Sequence, residues 1–227
     1  MNARKRMESR RFADREEAGR ELGAALAGRF GGRDDTIVLA LPRGGVPIGY
    51  EVARALRAPL DVFIVRKLGM PGHEEFAMGA IASGGVRVLN EEMFAEFSVP
   101  THIVDAVAQR EMIELERRER SYRGSRPPLD LTGRTVIVVD DGLATGSTMR
   151  AAVRALGKMG PAAVIVAVPV AASQTCDEFR SEVDEIICLR TPEPFQAVGL
   201  WYLDFSQTTD EEVHDLLDRA SSVAKGA

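Results

Sequence analysis

Thr135-Val136-Ile137-Val138-Val139-Asp140-Asp141-Gly142-Leu143-Ala144-Thr145-Gly146-Ser147-Thr148-Met149 is the stretch on which the reading of this sequence turns. A threonine and four apolar residues end abruptly in two adjacent carboxylates. A run of this kind, apolar at both odd and even positions, marks a strand buried on both faces of a parallel sheet. The loop that follows is made of glycine, alanine and hydroxyl residues. It feeds directly into a helix expected over 147–159 and closed by Gly160-Pro161. Ligands of open α/β sheets sit at the carboxyl ends of the strands, so a site is expected here.

Each part of the loop has a physical use. Gly142 and Gly146 let the backbone turn tightly and approach a ligand. The N–H groups of Ala144, Thr145, Gly146, Ser147 and Thr148, with three side-chain hydroxyls, form a nest at a helix N-terminus, where a phosphate is favoured. Asp140 and Asp141 would repel that phosphate. They suit either the vicinal hydroxyls of a sugar or a divalent cation. The expected ligand is a sugar phosphate, its phosphate in the loop and its diol on the two aspartates. A nucleoside-triphosphate P-loop is excluded because no lysine precedes Ser147, and Gly44-Gly45-Val46 lacks the dinucleotide fingerprint.

Outward from this stretch, strands and helices alternate. A helix is expected over 14–29, N-capped by Asp14 with Glu17 three residues on, and stopped by Gly31-Gly32. Ile37 to Leu41 reads as a buried strand, broken by Pro42-Arg43-Gly44-Gly45, and a helix opens near Pro47. Leu60 to Val65 is the second strand, ending in Arg66-Lys67. From Gly69 to Gly85 the glycines and Pro71 suggest a long loop with a hairpin, 77–81 and 86–89. A helix follows over 101–120, with Glu114–Arg118 and Glu116–Arg120 pairs on its polar side. Ala163 to Val168 and Val183 to Leu189 complete the strands, with a short helix near 175–180 between them. The last helix carries Thr208 and Glu211 as a capping box and Val213, Leu216, Leu217 and Ala220 as its apolar face. The fold class is therefore α/β, with a mostly parallel twisted sheet flanked by helices.

Composition bounds the rest. The chain has 227 residues, 34 Asp+Glu against 29 Lys+Arg, and a net charge of −5. A length of this order supports one large domain, or one domain with a small appendage, that buries roughly 70% of its unfolded surface without metal or disulfide. Net acidity argues against a general nucleic-acid footprint. Arg110 to Arg120 holds four Arg and four Glu, which reads as a salt-bridged surface helix. His102 and His214 have no partners at ligand spacing, so surface or capping roles are expected for them. The start of the chain has no apolar segment of signal-peptide type, and the longest low-polarity run, 161–172, is shorter than a bilayer span. No membrane association and a cytoplasmic location are expected. Cys176 and Cys188 are expected to be buried free thiols.

The segment from Asp140 to Met149 resembles the 5-phosphoribosyl 1-diphosphate (PRPP) signature of the type I phosphoribosyltransferases: a hydrophobic strand, two acidic residues, and a small-Thr-Gly-small-Thr loop. The resemblance covers roughly residues 36–189 by element order. It is closest to a bacterial group whose acceptors are unassigned. It implies a PRPP-binding core over 36–190, with 1–35 and 191–227 folding back as a small hood rather than a separate domain. Leu41-Pro42-Arg43-Gly44-Gly45 is similar to the family's pyrophosphate loop, and Arg66-Lys67 to an Arg-Lys pair that touches the diphosphate in orotate enzymes. The segment 69–85 resembles the loop that closes over the reacting centre. Within it His73, Glu74 and Glu75 read as a solvated tip.

By this resemblance a nitrogen nucleophile displaces pyrophosphate from C1 of the ribose. Mg2+, Arg43 and Lys67 neutralise the leaving group, and Asp140 and Asp141 hold the ribose and meet the metal directly or indirectly. Ala144 stands where hypoxanthine-guanine enzymes carry an Asp, so the loop is closer to the adenine-type pattern. Trp201, Tyr202 and Phe205 are either acceptor-stacking residues or a small apolar hood core. The resemblance also implies a homodimer. A PRPP-binding regulator without turnover is the alternative to an enzyme.

Overall fold

The computed structural model describes residues 11–90 and 99–224, with the side chains of 74–75 and 222–224 outside that description. The capping residue Asp14 behaves as expected: its carboxylate accepts from the Glu17 N–H at 2.7 Å and starts α1, Arg15–Phe30. There follow β1 (Thr36–Ala40), α2 (Gly45–Leu56), β2 (Leu60–Val62), β3 (Val65–Met70), β4 (His73–Ala82), β5 (Val86–Leu89) and α3 (Thr101–Arg123). The second half is β6 (Thr135–Val139), α4 (Ser147–Gly157), β7 (Ala163–Val170), α5 (Ser173–Phe179), β8 (Glu185–Arg190) and α6 (Asp210–Ala224).

Five strands form one wholly parallel sheet in the order β2-β1-β6-β7-β8. The apolar runs behave as a doubly buried sheet requires. Val38 and Ala40 of β1, with Ile137 and Val139 of β6, pack toward α1, α2, α3 and α6. Their neighbours Ile37, Leu39, Val136 and Val138 pack on the other face, toward α4 and α5. Strand order reverses between β1 and β6, which lie side by side with Ala40 opposite Val139. That switch point is where an open α/β sheet leaves a ligand crevice.

Several local expectations change. The strand expected over 60–65 divides: β2 joins the main sheet, whereas Val65 begins β3 of a separate antiparallel sheet, β3-β4-β5. Arg66 and Lys67 therefore lie within β3 rather than at the end of a main-sheet strand. The hairpin expected over 77–81 and 86–89 is present as β4 and β5, and the sheet also takes in 69–70 and 73–76, where the sequence suggests loop. Gly79, inside the expected strand, sits at a close approach: a Cβ there would meet the Val88 carbonyl oxygen at 2.3 Å. The cap of α6 falls one residue later than expected, with Thr209 Oγ1 accepting from the Glu212 N–H at 3.1 Å and Thr208 buried. Cys176 on α5 and Cys188 on β8 are joined in a disulfide, not free, because the helix packs against the strand twelve residues on. The expected ion pairs Glu114–Arg118 and Glu116–Arg120 are present on α3.

Candidate ligand site at the switch point

The pairing of β1 with β6 brings two loops together: 41–45 after β1 and 140–146 after β6. Contact between them is tight. A Cβ on Gly44 would lie 2.2 Å from Asp141 Oδ2, and one on Gly45 would lie 2.8 Å from the Val139 carbonyl oxygen. Glycine is needed at both positions for the loops to touch.

Asp140 and Asp141 are part-buried at the strand end, and the Asp140 Oδ1 accepts from the Asp141 N–H at 2.8 Å. Burial raises the Asp140 pKa well above the usual carboxylate value, and the charge on Asp141 raises it further. Asp141 is also raised by burial, but Arg15 opposes the shift. Two neighbouring carboxylates in one low-dielectric site resist double ionisation, which makes the pair sensitive to what binds beside it.

The hydroxyl loop is exposed at Ala144, Thr145, Ser147 and Thr148. Its base is fixed from below. Thr175 Oγ1 on α5 donates to the Ala144 carbonyl at 2.6 Å. Gly146 has φ +68°, and a Cβ there would strike the Phe179 ring at 2.6 Å. The turn then opens α4, whose free N–H groups are at its start.

The cationic residues divide. Lys67 Nζ donates to Ser147 Oγ at 2.8 Å, so β3 delivers an ammonium to the hydroxyl loop. Arg66, one residue earlier, points to the other side of β3 and pairs with Glu111 of α3 at 2.6 Å. Arg43 lies 3.7 Å from Asp210, in a cavity of about 180 Å³ that it shares with Arg117, Arg118 and Tyr122. A cavity of about 600 Å³ lies next to Arg15 between α1, α2 and α6. Seven carboxylates line it, including Glu51 and Asp204, against two arginines, which suits a phosphate poorly.

Of the three aromatic candidates, Tyr202 is 3% exposed, and its hydroxyl donates to the Asp141 carbonyl at 2.6 Å. Burial raises its pKa, as does the charge on Asp141. Trp201 is part-buried, with its indole N–H unpaired among the described residues. Phe205 is 38% exposed and carries the Arg15 guanidinium 4.0 Å above its ring. The chain ends meet here, because Phe12 forms a parallel bridge with Tyr202.

Arg15 is the residue the sequence did not reveal. Its Nε and Nη2 donate to Asp141 Oδ2 at 3.0 and 2.8 Å, and its Nη1 donates to the Ser206 carbonyl at 2.7 Å. In the sequence it is one arginine among many at the start of an ordinary helix. Among the described residues no three His, Cys, Asp or Glu side chains converge on one metal position. The acidic pair fits Mg2+ only in the manner usual for that ion, with one or two carboxylates and the remaining positions supplied by water and substrate phosphates.

The phosphoribosyl transferase domain family matches residues 11–202. A curated relative from Mycobacterium tuberculosis H37Rv, "Putative phosphoribosyl transferase Rv0571c", is 46% identical over 209 residues, which are 92% of this chain and 47% of the relative. The chain thus spans about half the length of that protein. "Bifunctional protein PyrR" of Chloroflexus aurantiacus is 32% identical over 129 residues, covering 56% of this chain and 65% of that one. Among solved structures, TT1426 from Thermus thermophilus is 43% identical, with a TM-score of 0.80, over 91% of this chain and 97% of its own. The doubly buried parallel sheet, the acidic pair ending β6 and the hydroxyl loop opening α4 agree with that match: this chain belongs to the phosphoribosyl transferase domain family.

Proposed function

We propose that the protein transfers the 5-phosphoribosyl group from PRPP to a nitrogenous acceptor, releasing pyrophosphate. The observation that carries this reading is the adjacency of β1 and β6, which sets the Gly44 backbone against the Asp141 carboxylate and both beside the loop 144–148. A PRPP molecule needs three neighbouring surfaces: amides and hydroxyls for the 5-phosphate, carboxylates for the ribose diol, and a cationic backbone loop for the diphosphate. Thr145, Gly146, Ser147 and Thr148 serve the first, with Lys67 beside Ser147. Asp140 and Asp141 serve the second. Arg43, Gly44 and Gly45 serve the third.

Bound Mg2+ would neutralise diphosphate charge as the C–O bond breaks. Arg43 turning from Asp210 to the leaving group, and Lys67, would add fixed positive charge where charge develops. Arg66 is given a structural part, because Glu111 takes its guanidinium. Tyr202 is given the part of a support beneath Asp141, which leaves Trp201 and Phe205 as the aromatic candidates near an acceptor. Under the same proposal residues 36–190 form the PRPP core, and 1–35 with 191–227 close over it as a hood. A cytoplasmic location and a homodimer belong to the proposal through the family alone. No described helix is long and apolar enough to cross a membrane.

The test is turnover. The protein is incubated with PRPP, Mg2+ and a panel of purine and pyrimidine bases and small amines, and pyrophosphate is measured. Release that depends on one acceptor supports the transferase. Tight PRPP binding with no release for any acceptor favours the regulator, and no PRPP binding removes both.

A further inference from the structure

Arg15 joins four parts of the molecule that are distant in sequence. It is the first residue of α1, directly after the capping Asp14. Two of its nitrogens hold one oxygen of Asp141, a third holds the Ser206 carbonyl, and its plane lies on Phe205. A Cβ on Gly44 would come within 3.4 Å of its Nε, so the pyrophosphate-type loop also borders it. The pair is shielded: the Arg15 and Asp141 side chains are 12% and 17% exposed.

This geometry exceeds what a surface ion pair requires. Both contacts go to Oδ2, and Oδ1 is left as the oxygen that Arg15 does not occupy. A carboxylate held by one oxygen cannot rotate freely, so Oδ1 is presented in one direction. The Tyr202 hydroxyl fixes the backbone carbonyl of the same residue. We infer that Arg15 is a positioning residue of the switch-point site: it orients the Asp141 carboxylate so that Oδ1 accepts from a ligand hydroxyl, and it couples that orientation to both chain ends. The inference rests on the PRPP reading above and deepens it. With Oδ2 taken, Asp141 is not a bidentate cation ligand, which favours the sugar diol as its target.

Charge acts in the same direction. The groups facing Asp141 are Asp140 on the same strand end, Arg15 from α1, and the neutral Tyr202 hydroxyl from the C-terminal segment. Gly44 brings no charge from the pyrophosphate-type loop. Arg190, at the end of β8, acts on Tyr202, and Asp204 lies near Arg15. Arg15 is thus the cation that lowers both acidic groups.

The experiment measures PRPP binding in the presence of Mg2+ by calorimetry at pH 7, for wild type, Arg15→Gln and Arg15→Lys, with thermal unfolding alongside. Arg15→Gln should bind PRPP at least about tenfold more weakly at pH 7. Arg15→Lys should recover part of the affinity, since one ammonium retains the charge but not the fork. A folded Arg15→Gln protein with wild-type affinity overturns the inference, even if its melting temperature falls. If Arg15→Gln does not fold, an Arg15→Lys protein with wild-type affinity overturns it. Failure of the wild type to bind PRPP is a separate outcome and overturns the PRPP reading itself.

Discussion

Replacing Gly44 with alanine perturbs the candidate site through one methyl group. Gly44 has φ −59° and ψ −31°, a conformation any residue adopts, so the backbone is not strained by the change. The cost is steric: the new Cβ would stand 2.2 Å from Asp141 Oδ2, well inside contact distance. The carboxylate must give way, and it is held by two Arg15 donors at 3.0 and 2.8 Å. Losing one charge-assisted hydrogen bond of this kind costs about 1.5–3 kcal/mol. If Asp141 holds the ribose, that range becomes about ten- to a hundredfold in PRPP affinity. Overpacking alone should cost stability by about 1–3 kcal/mol, lowering the melting temperature by about 2–4 °C per kcal/mol in a chain of this size. Gly45→Ala is the control. Its Cβ would meet the Val139 carbonyl and Asp140 Cα at 2.8 and 3.0 Å, backbone atoms that cannot swing aside, so its main effect should be on folding. Calorimetry with PRPP and Mg2+ and a melting curve on each variant separate the two. A folded Gly44→Ala protein that binds PRPP as tightly as wild type would refute the reasoning.

Other perturbations should separate binding from stability in different ways. Converting both Asp140 and Asp141 to Asn should weaken PRPP binding at least about tenfold. Asp140→Asn alone, which leaves the Arg15–Asp141 pair in place, should raise the melting temperature at pH 7. The Asp140 pKa is raised by burial in the folded state, so its contribution to stability is present below the unfolded pKa of 3.8 and is lost as pH rises through the folded value. The gain should therefore shrink toward pH 4, and a uniform or negative change in melting temperature across that range would contradict it. Lys67→Met should weaken PRPP binding and reduce its salt dependence with little change in melting temperature, since Lys67 is exposed beside Ser147. Arg66→Ala should do the opposite. It leaves the buried Glu111 without its closest partner, lowering stability by about 1–3 kcal/mol while sparing PRPP affinity. Equal effects of the two substitutions on binding would overturn that division.

The separation of Arg66 from Lys67 also shows why adjacent residues in a sequence motif need not share a role. In a strand, successive side chains point to opposite faces. Once these residues lie inside β3 rather than after a strand end, one must face α3 and the other the loop 144–148. The sequence could not reveal this, because the glycines and proline of 69–85 signal turns as strongly as they signal close-packed antiparallel strands. The cysteines illustrate a similar limit. Each reads as a small buried apolar side chain, and only the packing of α5 on β8 brings their sulfurs together.

What the sequence determined by itself was local and periodic. Apolar runs without alternation specified doubly buried strands, and glycines with hydroxyls specified the phosphate-type turn into α4. Paired carboxylates at the end of β6 marked the candidate site. Those features act over a few residues, where covalent geometry and hydrogen-bonding capacity are fixed by residue type. Tertiary structure alone decided which distant groups meet. The β1–β6 pairing set Gly44 against Asp141, the approach of the chain ends put Tyr202 beneath it, and the first turn of α1 supplied Arg15. An arginine on a helix has no periodic signature that distinguishes a solvated face from a buried ion pair; only the partner, 126 residues away, makes the difference.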